Sequence, residues 1–267
     1  LVDQIITSEG NPIIKSINGL KLKKNRQRQQ QFVVEGVRML EEAIRNGVNL
    51  EMVLYSQGLL KVNGGPQLLT RLSDNFLIYK VDDKLMDKLS DTENPQGILA
   101  VASIKSIDIE KLFNKDNLFI VTLDRIQDPG NMGTIIRTAE GAGADCVILT
   151  KGSVDPYNSK ALRASMGAIF HIPVIQWEDD EAELISTLKE KKIKLIASDV
   201  DTKTLYLDID YSNRFAIAIG NEANGISKRI LEEADERIKI PIYGKIESFN
   251  ASIAAAILIY KAVEGKQ

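Results

Sequence analysis

The sequence predicts an α/β protein in two parts: a small α/β module at the front and, behind it, a mainly parallel α/β sheet with helices on both faces. Three observations carry this. Short apolar runs alternate with stretches of helical periodicity along almost the whole chain. A charged, weakly apolar segment at 107–116 interrupts the alternation once. Gly- and Asn-bearing turns follow the apolar runs at 118–123 and 215–219, and open α/β sheets bind ligands at that end of their strands.

Taken in order, the chain to about residue 31 reads as a polar helix and a Gln-rich connection. FVVEG at 32–36 is a strand and 37–46 an amphipathic helix. The alternation continues through a strand at 52–55, a helix at 66–72, a strand at 77–81, a helix at 82–89 and a strand at 98–102. The module therefore spans 1–106, a linker occupies 107–116, and the second part runs from 117 to 267. Its strands are expected at 118–123, 146–149, 172–175, 194–198, 215–219 and 237–242. Asn250 has the character of an N-cap, after which Ile253, Ala254, Ile257 and Leu258 recur at helical spacing.

Composition removes several chemistries. With one cysteine and one histidine there is no internal disulfide and no zinc site of the usual Cys/His type, and a Ser-His-Asp relay would depend on His171 alone. Cys146, in an apparent strand, reads as a buried structural thiol, and His171, between Phe170 and Ile172, as a partly buried spacer. No apolar run reaches the roughly 18 residues that cross a bilayer, and no signal-peptide pattern opens the chain, so the expectation is a cytoplasmic protein without a membrane partner. The net charge of −3 is uneven: residues 1–107 hold 14 Lys and Arg against 12 Asp and Glu. Lys21, Lys23, Lys24, Arg26 and Arg28 form a run without an acidic residue, which suits a polyanion or, equally, a solvated helix face.

Four strings can carry chemistry. LDRIQDPGNMGTIIR at 123–137 turns out of a strand through Asp128-Pro129-Gly130-Asn131 into a helix bearing Arg137, an arrangement that presents backbone amides to an anion. A dinucleotide fingerprint is absent, because the Gly141-x-Gly143 pair follows this helix instead of preceding it. Arg137 alone suits a structural salt bridge and Asn131 a cap. Lys160 and Arg163 share one face of a short helix, as phosphate contacts or as a solvated pair. The remaining strings are Gly220-Asn221-Glu222-x-x-Gly225, and Ile240-Pro241 followed by Ser248-Phe249-Asn250.

Together, Asn131 with Arg137, the Gly220 string and the Ile240–Asn250 string resemble, in order and spacing, the three motifs of the SpoU/TrmH class of SPOUT RNA ribose methyltransferases, over about residues 117–263. FVVEGVRMLEEAI at 32–44 is similar to the RNA substrate-binding module often fused in front. The resemblance implies a deep trefoil knot, which no periodicity reveals, a homodimer, and S-adenosylmethionine held largely by backbone groups at Gly220, Ile240 and Phe249. It places the catalytic arginine at Arg137, with Asn131, Glu222, Ser248 and Asn250 around it. Phe249 stands where many relatives carry Leu, which leaves backbone contacts intact. The implied reaction is methylation of a ribose 2′-hydroxyl, most simply in ribosomal RNA; the alternatives are a transfer-RNA target or a non-catalytic RNA-binding protein on the same scaffold. A sulfonium is already charged when the methyl leaves, so the chemistry demands no metal. Arginine is a poor base in water, so Arg137 also suits a role in orienting the hydroxyl and binding the adjacent phosphate.

Overall fold

The computed structural model describes residues 5–265, so the first four residues of the expected front module and the last two of the second part lie outside it. The chain divides into two compact units, 1–106 with 157–163, and 107–156 with 164–267. Sequence order does not foresee that 157–163 groups with the first unit.

In the first unit α1 (Pro12–Gly19) starts with Pro12 at its first position and Asn11 as its cap, the Asn11 side chain accepting from the Ile13 amide at 2.9 Å. The single opening helix expected from sequence is two, because the chain breaks after Gly19 before α2 (Lys23–Gln29). There follow β1 (Gln31–Glu35), α3 (Val37–Arg45), β2 (Leu50–Tyr55), α4 (Gly65–Ser73), β3 (Ile78–Lys80), α5 (Asp83–Leu89) and β4 (Ile98–Ser103). The sheet order is β1-β4-β2-β3, antiparallel except for β2 with β3. Ile14, Ile17, Leu85 and Leu89 of α1 and α5 pack with Leu54, Leu99 and Val101 of the sheet.

The second unit opens with a correction. Residues 107–116, expected as a linker, contain α6 (Ile109–Phe113), whose Leu112 and Phe113 are buried in this unit's core. Six polar or charged residues among ten made it look like a connection. Then come β5 (Leu118–Leu123), α7 (Pro129–Gly141), β6 (Cys146–Leu149), α8 (Ser159–Ser165), most of which groups with the first unit, β7 (Val174–Gln176), α9 (Glu181–Glu190), β8 (Lys194–Ser198), β9 (Arg214–Ile219), α10 (Lys228–Glu233), β10 (Glu236–Ile238) and α11 (Ala251–Ala262). All six strands are parallel, in the order β10-β8-β9-β5-β6-β7. Every residue of β5 is buried, which is why its sequence is apolar except for Thr122 and shows no alternation. The last strand is shorter than 237–242: it stops at Ile238, and Pro241, which has no N–H to donate, lies beyond it.

From β5 the chain winds towards β7 on one side, and from β9 towards β10 on the other. The carboxyl ends of β5 and β9 are therefore a topological switch point, where loops diverge and leave a crevice.

Candidate functional site

At that switch point β5 runs into the turn before α7. Asp128 caps the helix, accepting from the Asn131 amide at 2.8 Å, and Pro129 takes the first position. The cap is thus Asp128 and not Asn131, and the Asn131 side chain is left to work elsewhere. Its Nδ2 donates to Glu222 Oε1 at 3.0 Å, and its Oδ1 accepts from Asn250 Nδ2 at 3.1 Å. Glu222 also accepts from the amides of Gln127 at 3.3 Å and Asp128 at 3.4 Å. Burial pushes the Glu222 carboxyl up, but the bonds from Asn131, Gln127 and Asp128 outweigh it and hold the group below its ordinary value. Asn250 meanwhile caps α11, accepting from the amides of Ser252 and Ile253 at 2.9 and 3.4 Å. One asparagine from each of two motifs and the glutamate of the third are wired into a single polar cluster.

Arg137 lies farther along α7, exposed, and among the described residues no hydrogen bond or ion pair engages it. The structural salt bridge that its sequence context allowed is not formed. Ser248 is likewise exposed, and Phe249 half-buried.

The stretch 240–249 fits a ligand held by backbone. Among the described residues, its amides and carbonyls make no hydrogen bond, and 243–248 are exposed throughout, so donors and acceptors for a heterocycle are available there. Gly220 is glycine for a reason of close approach: a Cβ on it would overlap the backbone of Gly225 and Ile226.

A cluster that the sequence did not flag sits immediately behind. Asp124 is fully buried at the end of β5 and is bound by Arg125, Thr150 and the Ser227 amide. Its bond to Arg125 holds that guanidinium above its ordinary value. An Asp-Arg pair just past a strand reads as a solvated turn; only the distant Thr150 and Ser227 reveal that it is buried.

The basic residues separate by environment. Lys23, Lys24 and Arg28 of α2 are exposed, as are Lys160 and Arg163 of α8, and Lys21 pairs with Asp91 at 3.0 Å. Arg26 is a correction. It is 6% exposed, with its Nη1 donating to the carbonyls of Leu20 at 2.7 Å and Lys21 at 2.9 Å, so it ties down the chain leaving α1 and cannot reach a phosphate.

His171 is more exposed than expected and faces Glu140, with Nδ1 3.3 Å from Oε1. Cys146 is buried, and burial pushes its thiol up to about 12, as suits a structural residue. Among the described residues no group of three or more His, Cys, Asp or Glu is placed to hold a metal ion, and no helix is long and apolar enough to cross a membrane.

Two family models match the chain: the SpoU rRNA Methylase family over residues 118–260 and the MRM3-like substrate binding domain over 11–100. The 23S rRNA (guanosine(2553)-2′-O)-methyltransferase RlmP of Bacillus subtilis is 33% identical over 256 residues, covering 96% of this chain and 97% of that one. Among solved structures, the AdoMet-bound rRNA methyltransferase from Sinorhizobium meliloti superposes with a TM-score of 0.87 at 28% identity, over 98% of this chain and 97% of that one. The SpoU methyltransferase AviRb from Streptomyces viridochromogenes, in complex with AdoMet, gives a TM-score of 0.86 at 26% identity, over 96% and 98%.

Proposed function

The chain belongs to the SpoU rRNA Methylase family, and from that premise we propose that it is an S-adenosylmethionine-dependent RNA 2′-O-ribose methyltransferase acting on ribosomal RNA. The observation that carries the reading is the joining of Asn131, Glu222 and Asn250 at the switch point of the parallel sheet, with Arg137 exposed on the same helix as Asn131. A front unit matching a substrate-binding domain, and a 23S rRNA methyltransferase as relative, support ribosomal RNA over a transfer RNA. A protein that only bound RNA would have no need of this cluster.

S-adenosylmethionine, when bound, supplies a methyl on an already positive sulfur. What the chain must add is alignment of the 2′-oxygen and help in removing its proton. Backbone groups of 240–249 and the Gly220 turn would hold the cofactor, with Gly220, Ile240 and Phe249 as contacts. Arg137 offers a planar fork that can engage the phosphate beside the target ribose and orient the hydroxyl. Glu222, kept charged by its donors, fixes Asn131 and, through it, Asn250, and would so shape the pocket to which the family resemblance assigns Ser248. Lys21, Lys23, Lys24, Arg28, Lys160 and Arg163 would serve RNA affinity, since phosphate contacts position a substrate without reacting with it.

The cofactor loops are those that a trefoil knot would thread, and likeness to solved SpoU structures supports that topology. We further read the enzyme as a homodimer through α11. Ile253 and Tyr260, seven residues apart and thus on one helical face, are 52% and 55% exposed. The alanines that suggested close packing divide: Ala251 and Ala255 are buried within the unit, Ala254 and Ala256 half-buried.

The test is to map 2′-O-methyl groups in ribosomal RNA from a deletion strain and from wild type, and to restore the missing group with purified enzyme and S-adenosylmethionine. A deletion strain with unchanged ribosomal RNA methylation and a change in transfer RNA would move the substrate to the alternative.

A further inference from the structure

Asp124 is a fully buried carboxylate that the proposed chemistry does not use. An ionised carboxylate only accepts hydrogen bonds, and in the interior every oxygen needs donors. Here Oδ1 accepts from Thr150 Oγ1 at 2.9 Å and Arg125 Nε at 3.2 Å, while Oδ2 accepts from the Ser227 amide at 2.7 Å and Arg125 Nη2 at 3.0 Å. Those donors come from the ends of three elements: the second residue after β5, the residue after β6 and the cap of α10.

Ser227 closes the loop that begins at Gly220. At the loop's other end, Asn221 Nδ2 donates to the Arg125 carbonyl at 2.7 Å. That carbonyl is aimed there because Arg125 adopts a left-handed backbone, φ 54°, uncommon for an arginine, and the fork of its guanidinium onto Asp124 holds it in place. Within the loop, Asn221 and Gly225 exchange backbone bonds at 3.0 and 2.9 Å. The segment 221–227 is therefore gripped at both ends by two consecutive residues, 124 and 125.

We infer that Asp124 is a positioning residue for the cofactor: its carboxylate, acting through Ser227 and Arg125, sets the shape of the 220–227 loop and so the strength with which that loop holds S-adenosylmethionine. The inference rests on the cofactor assignment proposed above. An amide in place of the carboxylate must turn its NH2 towards one of the donors, so Asp124→Asn should release one end of the loop while keeping the volume of the side chain. Thr150→Val removes one donor to Asp124 and the acceptor of the Arg125 amide, which Thr150 Oγ1 holds at 3.0 Å, and leaves the bond from the Ser227 amide and the guanidinium fork in place.

The experiment is calorimetric titration of the full chain with S-adenosylmethionine for wild type, Asp124→Asn and Thr150→Val, with thermal unfolding of each. The expected result is a stoichiometry near one per chain with affinity weakened about tenfold or more in Asp124→Asn, and by a smaller factor in Thr150→Val. A role in stability alone would lower the unfolding temperature and the stoichiometry while leaving the dissociation constant of the folded fraction unchanged, and that outcome overturns the inference. Should Asp124→Asn not fold, Thr150→Val decides: about threefold weaker binding supports the positioning role, and unchanged affinity overturns it. If wild type itself binds no S-adenosylmethionine, the cofactor reading falls first and this inference with it, a result separate from the other two.

Discussion

Asn250 Nδ2 donates to Asn131 Oδ1 at 3.1 Å, joining the first turn of α7 to the cap of α11 across 119 residues of chain. Each of the two asparagines also has a second task, Asn131 on Glu222 and Asn250 on the amides of its own helix. Substituting either should therefore be felt by both loops. In Asn131→Ala, Glu222 loses its side-chain donor, and the single-turnover methylation rate should fall by more than tenfold with little change in RNA affinity. An unchanged rate would detach the cluster from the chemistry.

Arg137 provides a cleaner case, because it has no partner among the described residues. Arg137→Ala and Arg137→Lys should leave the unfolding free energy within about 0.5 kcal/mol of wild type, as for a surface change away from any network. Both should nevertheless lower the single-turnover rate by about a hundredfold or more, the scale of losing a positioned catalytic group, with S-adenosylmethionine affinity scarcely altered. Near-normal turnover in Arg137→Ala would remove this residue from the mechanism.

Glu222 carries a pH signature. Its folded carboxyl lies below the ordinary 4.5, so the stability it contributes is complete above that value and is lost as pH falls through the depressed folded value. Unfolding temperatures of wild type and Glu222→Gln, followed from pH 7 downwards, should differ by a constant amount at neutral pH and converge in acid. Because Glu222 is exposed, solvent screening keeps the neutral-pH difference below about 1 kcal/mol. A gap that widens in acid would contradict the sign.

Within α2 the basic residues should divide sharply. Arg26→Ala leaves two carbonyls without their donor and should cost about 2–3 kcal/mol of stability, measured by denaturant unfolding. Lys24→Ala with Arg28→Ala should leave stability alone, weaken RNA binding and reduce the slope of log affinity against log salt by up to about 2. A stable Arg26→Ala with weakened RNA binding would return Arg26 to the phosphate contacts.

On α11, Ile253→Asp or Tyr260→Asp places a charge on the exposed apolar face, and light scattering at micromolar concentration should report a dimer for wild type and a monomer for either variant. A wild-type monomer would refute the α11 interface outright.

The sheet was legible because β5 and β9 are buried on both faces, so residues 118–121 of the one and 215–219 of the other are apolar runs with turn residues soon after. Asn250 as a cap was legible from local chemistry alone. Other features depend on partners far along the chain. Arg26 sits in a basic run and looks solvated until the carbonyls at the end of α1 fold back upon it. Asp124 looks like a turn residue until Ser227, 103 positions later, delivers its amide. The segment 107–116 has the composition of a linker, and it is the burial of Leu112 and Phe113 that makes it part of a core.

The all-parallel order of the second sheet also bears on time. Each bond of the polar cluster spans about a hundred residues: Gln127 and Asp128 to Glu222, Asn131 to Glu222, Asn131 to Asn250. Contacts so distant along the chain close late, since the entropy of the intervening loops is lost before they form. Local helices such as α9, capped by its own Asp180, have no such delay. During refolding, secondary structure should thus return well before enzymatic competence, and the catalytic centre becomes a clock for the last step of folding, not the first.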